Sequence, residues 1–426
     1  MLSSIKKGGQ LNKICVSGMG IVCALGDTLD AFTDALKSGR SGIRALTSTE
    51  DLPLQEAALI TNFPIEDRLQ ALALPDTLIA RACKAVHRAP QVLQTAVYSA
   101  LSAWQQAGLE DIEFDNQRTG LIIAGQNLTS GYCYEQSQRY GADLEYLPAS
   151  FGLHCLDTNL LGTLSEILQI QGCGFTVGGA SASGNVGLIQ AKQMIESGVV
   201  ERCIVVGAMA DLSPLELHAW NNMGAIGGKR LPPGESCRPF DKDHEGFIYG
   251  QGAGCIILEC ADTLQKRQAT PLASVIGTAL TLDGNRSANP SVTGEARTMA
   301  LALENASITA ADIDYINTHG TSSALGDDTE IAAINTVFAD HVNRIWLNAT
   351  KGLTGHCLYA AGVIEAIATI LQMQHGFVHP NKHLNNPIDS HAHFASAVAE
   401  TATISHALSN AFGFGGINSA LVFAHD

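Results

Sequence analysis

Apolar residues fall along this chain in two alternating rhythms. Short unbroken runs, KICVSGMGIVC at 13–23, CIVVGA at 203–208 and CIILE at 255–259, read as strands buried on both faces. Between them lie stretches with apolar positions at helical spacing: 28–38, a long one over 78–107, 183–197, 296–305, one after Asp327, and 360–374. Further strand-like runs cover 119–124, 175–177, SVIGTALTL, DYINTH, IWLN and the closing NAFGFGGINSALVFA. Strands alternating with helices favour a layered α/β architecture over a bundle or a sandwich. A Gly- and Pro-rich passage, 227–254, reads as a surface excursion that returns to the CIILE strand. The polar segment ADTLQKRQAT at 261–270 marks the expected boundary between two halves, 13–262 and 263–426, behind a lead-in at 1–12. No literal repeat links the halves, so a duplication would show only in the fold.

Composition narrows the function classes. A chain of 426 residues, 46% hydrophobic and 15% charged, can bury a large core. A formal charge of −16 argues against a nucleic-acid surface or an electrostatic hold on an anionic membrane. No apolar run approaches the ~18 residues of a spanning helix, and MLSSIKKGGQLNK lacks the apolar centre of a signal peptide. The 11 cysteines form no CxxC pair, and Cys15, Cys203 and Cys255 sit inside apolar runs. They read as buried free thiols of a soluble, cytoplasmic protein. We find no metal-ligand cluster, phosphate-cradling loop or nucleotide fingerprint in the sequence.

Four segments place reactive side chains on glycine turns at strand ends. FTVGGASASGNVGLIQA at 175–191 ends a strand in two glycines and opens a helix at Ser181. NTHGTSSALGDDTE at 317–330 carries His319 directly after a strand, and NATKGLTGHCLYAAGVIE at 348–365 carries Lys351 and His356. NAFGFGGIN at 410–418 has glycines that let backbone N–H groups approach a ligand closely. Taken singly, each has a plain reading: a helix N-cap, a satisfied structural histidine, a tight loop.

Together, in order and in register from about residue 13 to the C-terminus, they resemble one family. KICVSGMGIVCALGD, GRSGI, CRPFDKDHEGF, INTHGTSSALGD, ATKGLTGH and FGFGGIN follow the pattern of the β-ketoacyl-acyl-carrier-protein synthases. The resemblance implies a thiolase-like α/β fold, two similar halves in five αβαβα layers, and a homodimer paired through the strand at 175–177. It implies that His319 and His356 promote decarboxylation of a malonyl thioester and stabilise the enolate, supported by Lys351 and Glu365. Asp327 and Glu330 match a polar network, and Phe414 an oxyanion-hole and gating phenylalanine. Thr321 and Asn289 match the lining for the phosphopantetheine arm of an acyl carrier protein, the expected partner, and no separate cofactor is implied. Arg81, Lys84 and Arg88 lie where the family places cations for carrier docking, although a solvated helix face reads the same way.

The departure falls on the nucleophile. Where the family has cysteine, this chain reads Ala180-Ser181-Ala182-Ser183-Gly184. A thiol of reference pKa near 8.5 becomes thiolate at a helix N-terminus. A serine hydroxyl is far too weak an acid for that field, worth about 0.3–2 kcal/mol, to ionise it. Acylation of Ser181 would need a general base at hydrogen-bond distance. Decarboxylation needs only donors preplaced around the developing enolate oxygen. The segments GGASASG, MADLS, LDGNRSANPS and NATKGLTGHCLYAAG resemble the serine-bearing malonyl-carrier-protein decarboxylases of trans-acyltransferase polyketide pathways, which serve β-branching. Two rival expectations stand beside this one: a non-catalytic partner subunit of the chain-length-factor kind, and a condensing enzyme with Ser181 as nucleophile. Two smaller departures are Ala288, where a pantetheine-binding threonine is expected and Asn289 could take over, and Gln251 in place of an acidic residue.

Overall fold

The computed structural model describes residues 13–425 apart from 48–51, 111 and 113, so the lead-in expected at 1–12 lies outside the described residues. Ten strands make one large sheet: β1 Ile14–Cys23, β2 Thr119–Ala124, β3 Gly174–Val177, β4 Arg202–Gly207, β5 Gly252–Cys260, β6 Ala273–Leu282, β7 Tyr315–Asn317, β8 Trp346–Asn348, β9 His406–Gly413 and β10 Ile417–Ala424. Their order from one edge is β3-β2-β4-β5-β1-β6-β10-β9-β7-β8. Read from its outer edge, each half therefore runs third, second, fourth, fifth and first strand. The pairing senses match as well: parallel on both sides of the second strand, antiparallel from the fourth strand to the first. The two halves join through β1 and β6 at only Cys15↔Ser274 and Val16↔Ala273. Duplication absent from the sequence is thus plain in the topology.

Burial explains the rhythms. β1, β2, β4 and β5 are buried at every position, which is why they read as unbroken apolar runs. Helices α1 (Asp76–Val86), α2 (Gln91–Gln106) and α3 (Asp157–Leu168) pack on the outer face of the first half. Between the halves run α4 (Ser183–Glu196) and α7 (Ala361–His375), and α5 (Val292–Ala306) with α6 (Ala324–Phe338) cover the second half. The layers are helix, sheet, helix, sheet, helix. α7, AGVIEAIATILQMQH, is buried from Ala361 through Met373 and apolar almost all round, as a central helix must be. α4 and α7 cross where their glycines meet. A Cβ on Gly184 would lie 2.5 Å from the Val363 nitrogen, and one on Gly362 2.6 Å from Asn185 Oδ1.

Two expectations need correction. The helix expected over 78–107 is two helices, because Pro90 cannot continue an α-helix and drives the residue before it out of helical geometry. The passage 227–254 is a surface excursion only over 229–235; from there it turns inward, with Ser236, Phe240 and Asp241 fully buried and Arg238 paired with Asp241. It runs beneath the loop that carries His319, with the Phe240 N–H donating to Asp327 Oδ2 at 2.8 Å and the Arg238 N–H to Ser322 Oγ at 3.0 Å.

Candidate active site

Ser181 sits in a single 3₁₀ turn, Ala180–Ala182, between the end of β3 and the start of α4. Ala180 takes φ 48°, the left-handed region that an alanine enters only when its surroundings hold it there. Ser183 does part of that holding. Its Oγ accepts from the Gly179 N–H at 2.9 Å and donates to the Ala180 carbonyl at 2.7 Å. The second serine of GASASG therefore closes the bend, and the first is left to face the cavity.

The opposite wall comes from the second half. His319 follows β7 directly, on a loop clamped by two buried carboxylates. Glu330 receives the N–H groups of His319 and Gly320, both at 2.8 Å, and the Asn410 side-chain amide at 3.1 Å. Asp327 Oδ1 receives the N–H groups of Thr321 and Ser322 at 3.0 and 3.2 Å, while its Oδ2 meets His244 Nδ1 at 3.2 Å. The polar network expected at Asp327 and Glu330 is geometrically the scaffold of the histidine loop. Burial raises the Glu330 carboxyl to about 7 against the pull of those N–H groups.

Lys351 fixes the first histidine. Its buried ammonium donates to the Glu365 carboxylate, to the His319 carbonyl and, at 3.3 Å, to His319 Nδ1. An ammonium carries only donors, so His319 Nδ1 is the acceptor and the ring proton lies on Nε2. His356 is fixed by a backbone group: the Leu358 N–H donates to His356 Nδ1 at 3.1 Å, so its proton too lies on Nε2. That Nε2 is 2.9 Å from Ser181 Oγ. The N–H therefore points at the hydroxyl oxygen, and His356 is a donor to Ser181 rather than a base for it. Burial holds both rings well below the usual histidine range, reinforced by the Lys351 charge and, for His319, by His356. Both are neutral imidazoles at neutral pH, their rings 5.7 Å apart and nearly perpendicular.

These groups line one cavity of about 580 Å³, shared by Ser181, His319, His356, Thr321, Asn289 and Phe414. No cysteine lines it among the described residues. Phe414 sits in the β9–β10 turn, 43% exposed, where Gly415 and Gly416 adopt φ 90° and 70°. Asn289 is exposed on the 283–290 loop, with its backbone N–H on Ser287 Oγ. Gln251 ties the Ile60 N–H at 3.0 Å, away from the cavity. Arg81 and Lys84 are exposed on α1 and Arg88 in the turn behind it; none of the three lines the cavity. Three groups went unnoticed in the sequence: His244, Asn410 and Glu295. Glu295 lines the cavity yet is 1% exposed with Oε2 unpartnered, and burial with Glu330, Asp283 and Asp327 nearby raises its carboxyl to about 10. As a lone glutamate in the first turn of a helix it had no signal beyond the ordinary preference for acids there.

Two half-sheets of identical strand order, with a serine turn and two histidine loops meeting at the central helices, define a class, and sequence comparison agrees. The models for the β-ketoacyl synthase N-terminal domain and C-terminal domain match residues 11–263 and 272–385; the chain belongs to the β-ketoacyl synthase family. It is 35% identical over 413 residues, 96% of both chains, to the polyketide biosynthesis malonyl-ACP decarboxylase PksF of Bacillus subtilis. It is 28% identical to 3-oxoacyl-[acyl-carrier-protein] synthase 2 of Coxiella burnetii, over 97% of this chain and 98% of that one. Among solved structures, a β-ketoacyl synthase from Burkholderia phymatum matches with a TM-score of 0.85 at 26% identity, covering 97% of this chain and all of that one.

Proposed function

We propose that the protein decarboxylates malonyl-acyl-carrier protein to acetyl-acyl-carrier protein, and that the acetyl unit serves polyketide β-branching. One observation carries this reading: His356 gives its Nε2–H to Ser181, so the site holds no base to turn that hydroxyl into a nucleophile. Decarboxylation requires none. The thioester oxygen of the malonyl group, brought in on the phosphopantetheine arm past Asn289 and Thr321, takes over the His356 Nε2–H from Ser181 Oγ and meets a second donor in His319. As the bond to the carboxylate breaks, charge gathers on that oxygen, and the donors stabilise it in a site already shaped for it. Lys351 keeps His319 in the donating tautomer, and Glu365 holds Lys351. Phe414 gates the entrance. The chemistry calls for no bound metal or cofactor.

Similarity to the PksF decarboxylase supports the reading, and the intact histidine, lysine and glutamate set argues against a non-catalytic subunit, which has no use for them. The expected partners are an acyl carrier protein docking near Arg81, Lys84 and Arg88, a second copy of the chain pairing through the edge strand β3, and the enzymes that use the acetyl unit. The test is the rate at which malonyl-carrier protein becomes acetyl-carrier protein. We expect turnover by the native protein and a fall of about 10²–10³ for His319→Ala, the usual loss when one oxyanion donor is removed. A native protein that forms no acetyl-carrier protein, or a His319→Ala variant with an unchanged rate, rejects the proposal.

A further inference from the structure

Decarboxylation leaves an enolate, and turning it into an acetyl group takes one proton at the α-carbon. A condensing enzyme never faces this step, since its carbanion attacks an acyl group held on the nucleophile. In this chain the atom at the nucleophile's position is Ser181 Oγ. Among the described residues its one hydrogen-bond partner is His356 Nε2 at 2.9 Å, which donates. No described residue therefore accepts the hydroxyl proton, and Oγ lines the same cavity as both histidines.

We propose that Ser181 is the proton donor that quenches the enolate, on the face from which a condensing enzyme would present its acyl carbon. The proposal rests on the decarboxylase reading. In the first step the bond between the α-carbon and the carboxylate breaks, CO2 departs, and its bonding pair becomes the enolate, with negative oxygen at His319 and His356. In the second, the electron pair of the enolate double bond takes the proton from Ser181 Oγ, the thioester carbonyl re-forms, and Oγ is left as an alkoxide. A thioester enolate is more basic at carbon than an alkoxide, so the transfer runs downhill. The His356 N–H and the N-terminal field of α4 stabilise the alkoxide, which regains a proton from solvent water when the product leaves. His356 thus serves both steps as a donor.

Ser181→Ala separates the steps. It removes the proton while keeping the turn, whose closure belongs to Ser183. The variant is incubated with malonyl-carrier protein under ¹³C-labelled CO2, and both acetyl-carrier protein and label returned to malonyl-carrier protein are measured. We expect acetyl formation to fall at least tenfold, toward the 10²–10⁴ typical of a lost general acid. Label should enter malonyl-carrier protein faster than in the native enzyme, because an enolate waiting for a proton has time to recapture CO2. Label exchange also shows that the variant is folded and cleaves the bond. Acetyl formation within about twofold of native overturns the proposal, as does loss of exchange together with acetyl formation, which would place Ser181 before the proton step. A native enzyme that makes no acetyl-carrier protein is a different result, and it removes the decarboxylase reading itself.

Discussion

The two halves build the same strand-turn-helix unit and use it differently. In the first, β3 ends at Val177, two residues follow, and the 3₁₀ turn Ala180–Ala182 leads into α4. In the second, β8 ends at Asn348, residues 349–357 intervene, and the turn Leu358–Ala360 leads into α7. Both turns open on a non-glycine residue in the left-handed region, Ala180 at φ 48° and Leu358 at φ 49°. Gly184 and Gly362, each two residues past its turn, are where the helices touch. The short copy delivers a single hydroxyl. The lengthened copy delivers Lys351 and His356, and its turn residue Leu358 supplies the N–H that fixes the His356 tautomer. One half presents a hydroxyl, and the other carries the N–H that meets it.

Breaking the long copy should have the largest effect. Lys351→Met leaves Glu365 buried without its partner, and removal of one member of a buried pair costs about 3–5 kcal/mol, read by chemical denaturation. Gly184→Ala or Gly362→Ala attacks the contact both copies share. Each places a Cβ against atoms of the opposing helix, Val363 and Gly362 in the first case and Asn185 in the second, for about 1–3 kcal/mol by the same measurement. The tautomers are tested without mutation: ¹⁵N spectra should show His319 and His356 neutral and protonated on Nε2 from pH 8 down to about 5.5, below the ordinary histidine pKa. Their folded values lie below the unfolded ones, so their part in stability is lost as pH falls beneath about 6.5.

The mildest change is Glu295→Gln. With its carboxyl raised to about 10, Glu295 is already an uncharged acid at neutral pH. A folded value above the unfolded one means that its contribution is full at low pH and drains away as pH rises toward that folded value. The glutamine variant should match the native protein within about 0.5 kcal/mol near pH 4, and gain a growing advantage in thermal melts as pH rises above the ordinary glutamate value.

Much of the architecture was legible because its physics is local. Strands buried on both faces show as unbroken apolar runs, and the four glycine turns that carried reactive residues do meet in one cavity. The break at Pro90 was legible too, and the apolar spacing over 78–107 concealed it. Other features have no local trace. The burial of 236–241 depends on the loop lying over it, and the charge state of Glu295 depends on carboxylates distant in sequence. The direction of the Ser181–His356 hydrogen bond depends on a backbone N–H that any residue but proline at 358 would supply. That last feature leaves the Ser181 hydroxyl facing a donor rather than a base.

The most direct test is therefore a single mass spectrum of the intact enzyme and its carrier after incubation with both acyl- and malonyl-carrier protein. The enzyme should keep its mass while acetyl-carrier protein accumulates. An acyl group on Ser181, with elongated carrier protein in place of acetyl, would contradict the decarboxylase proposal.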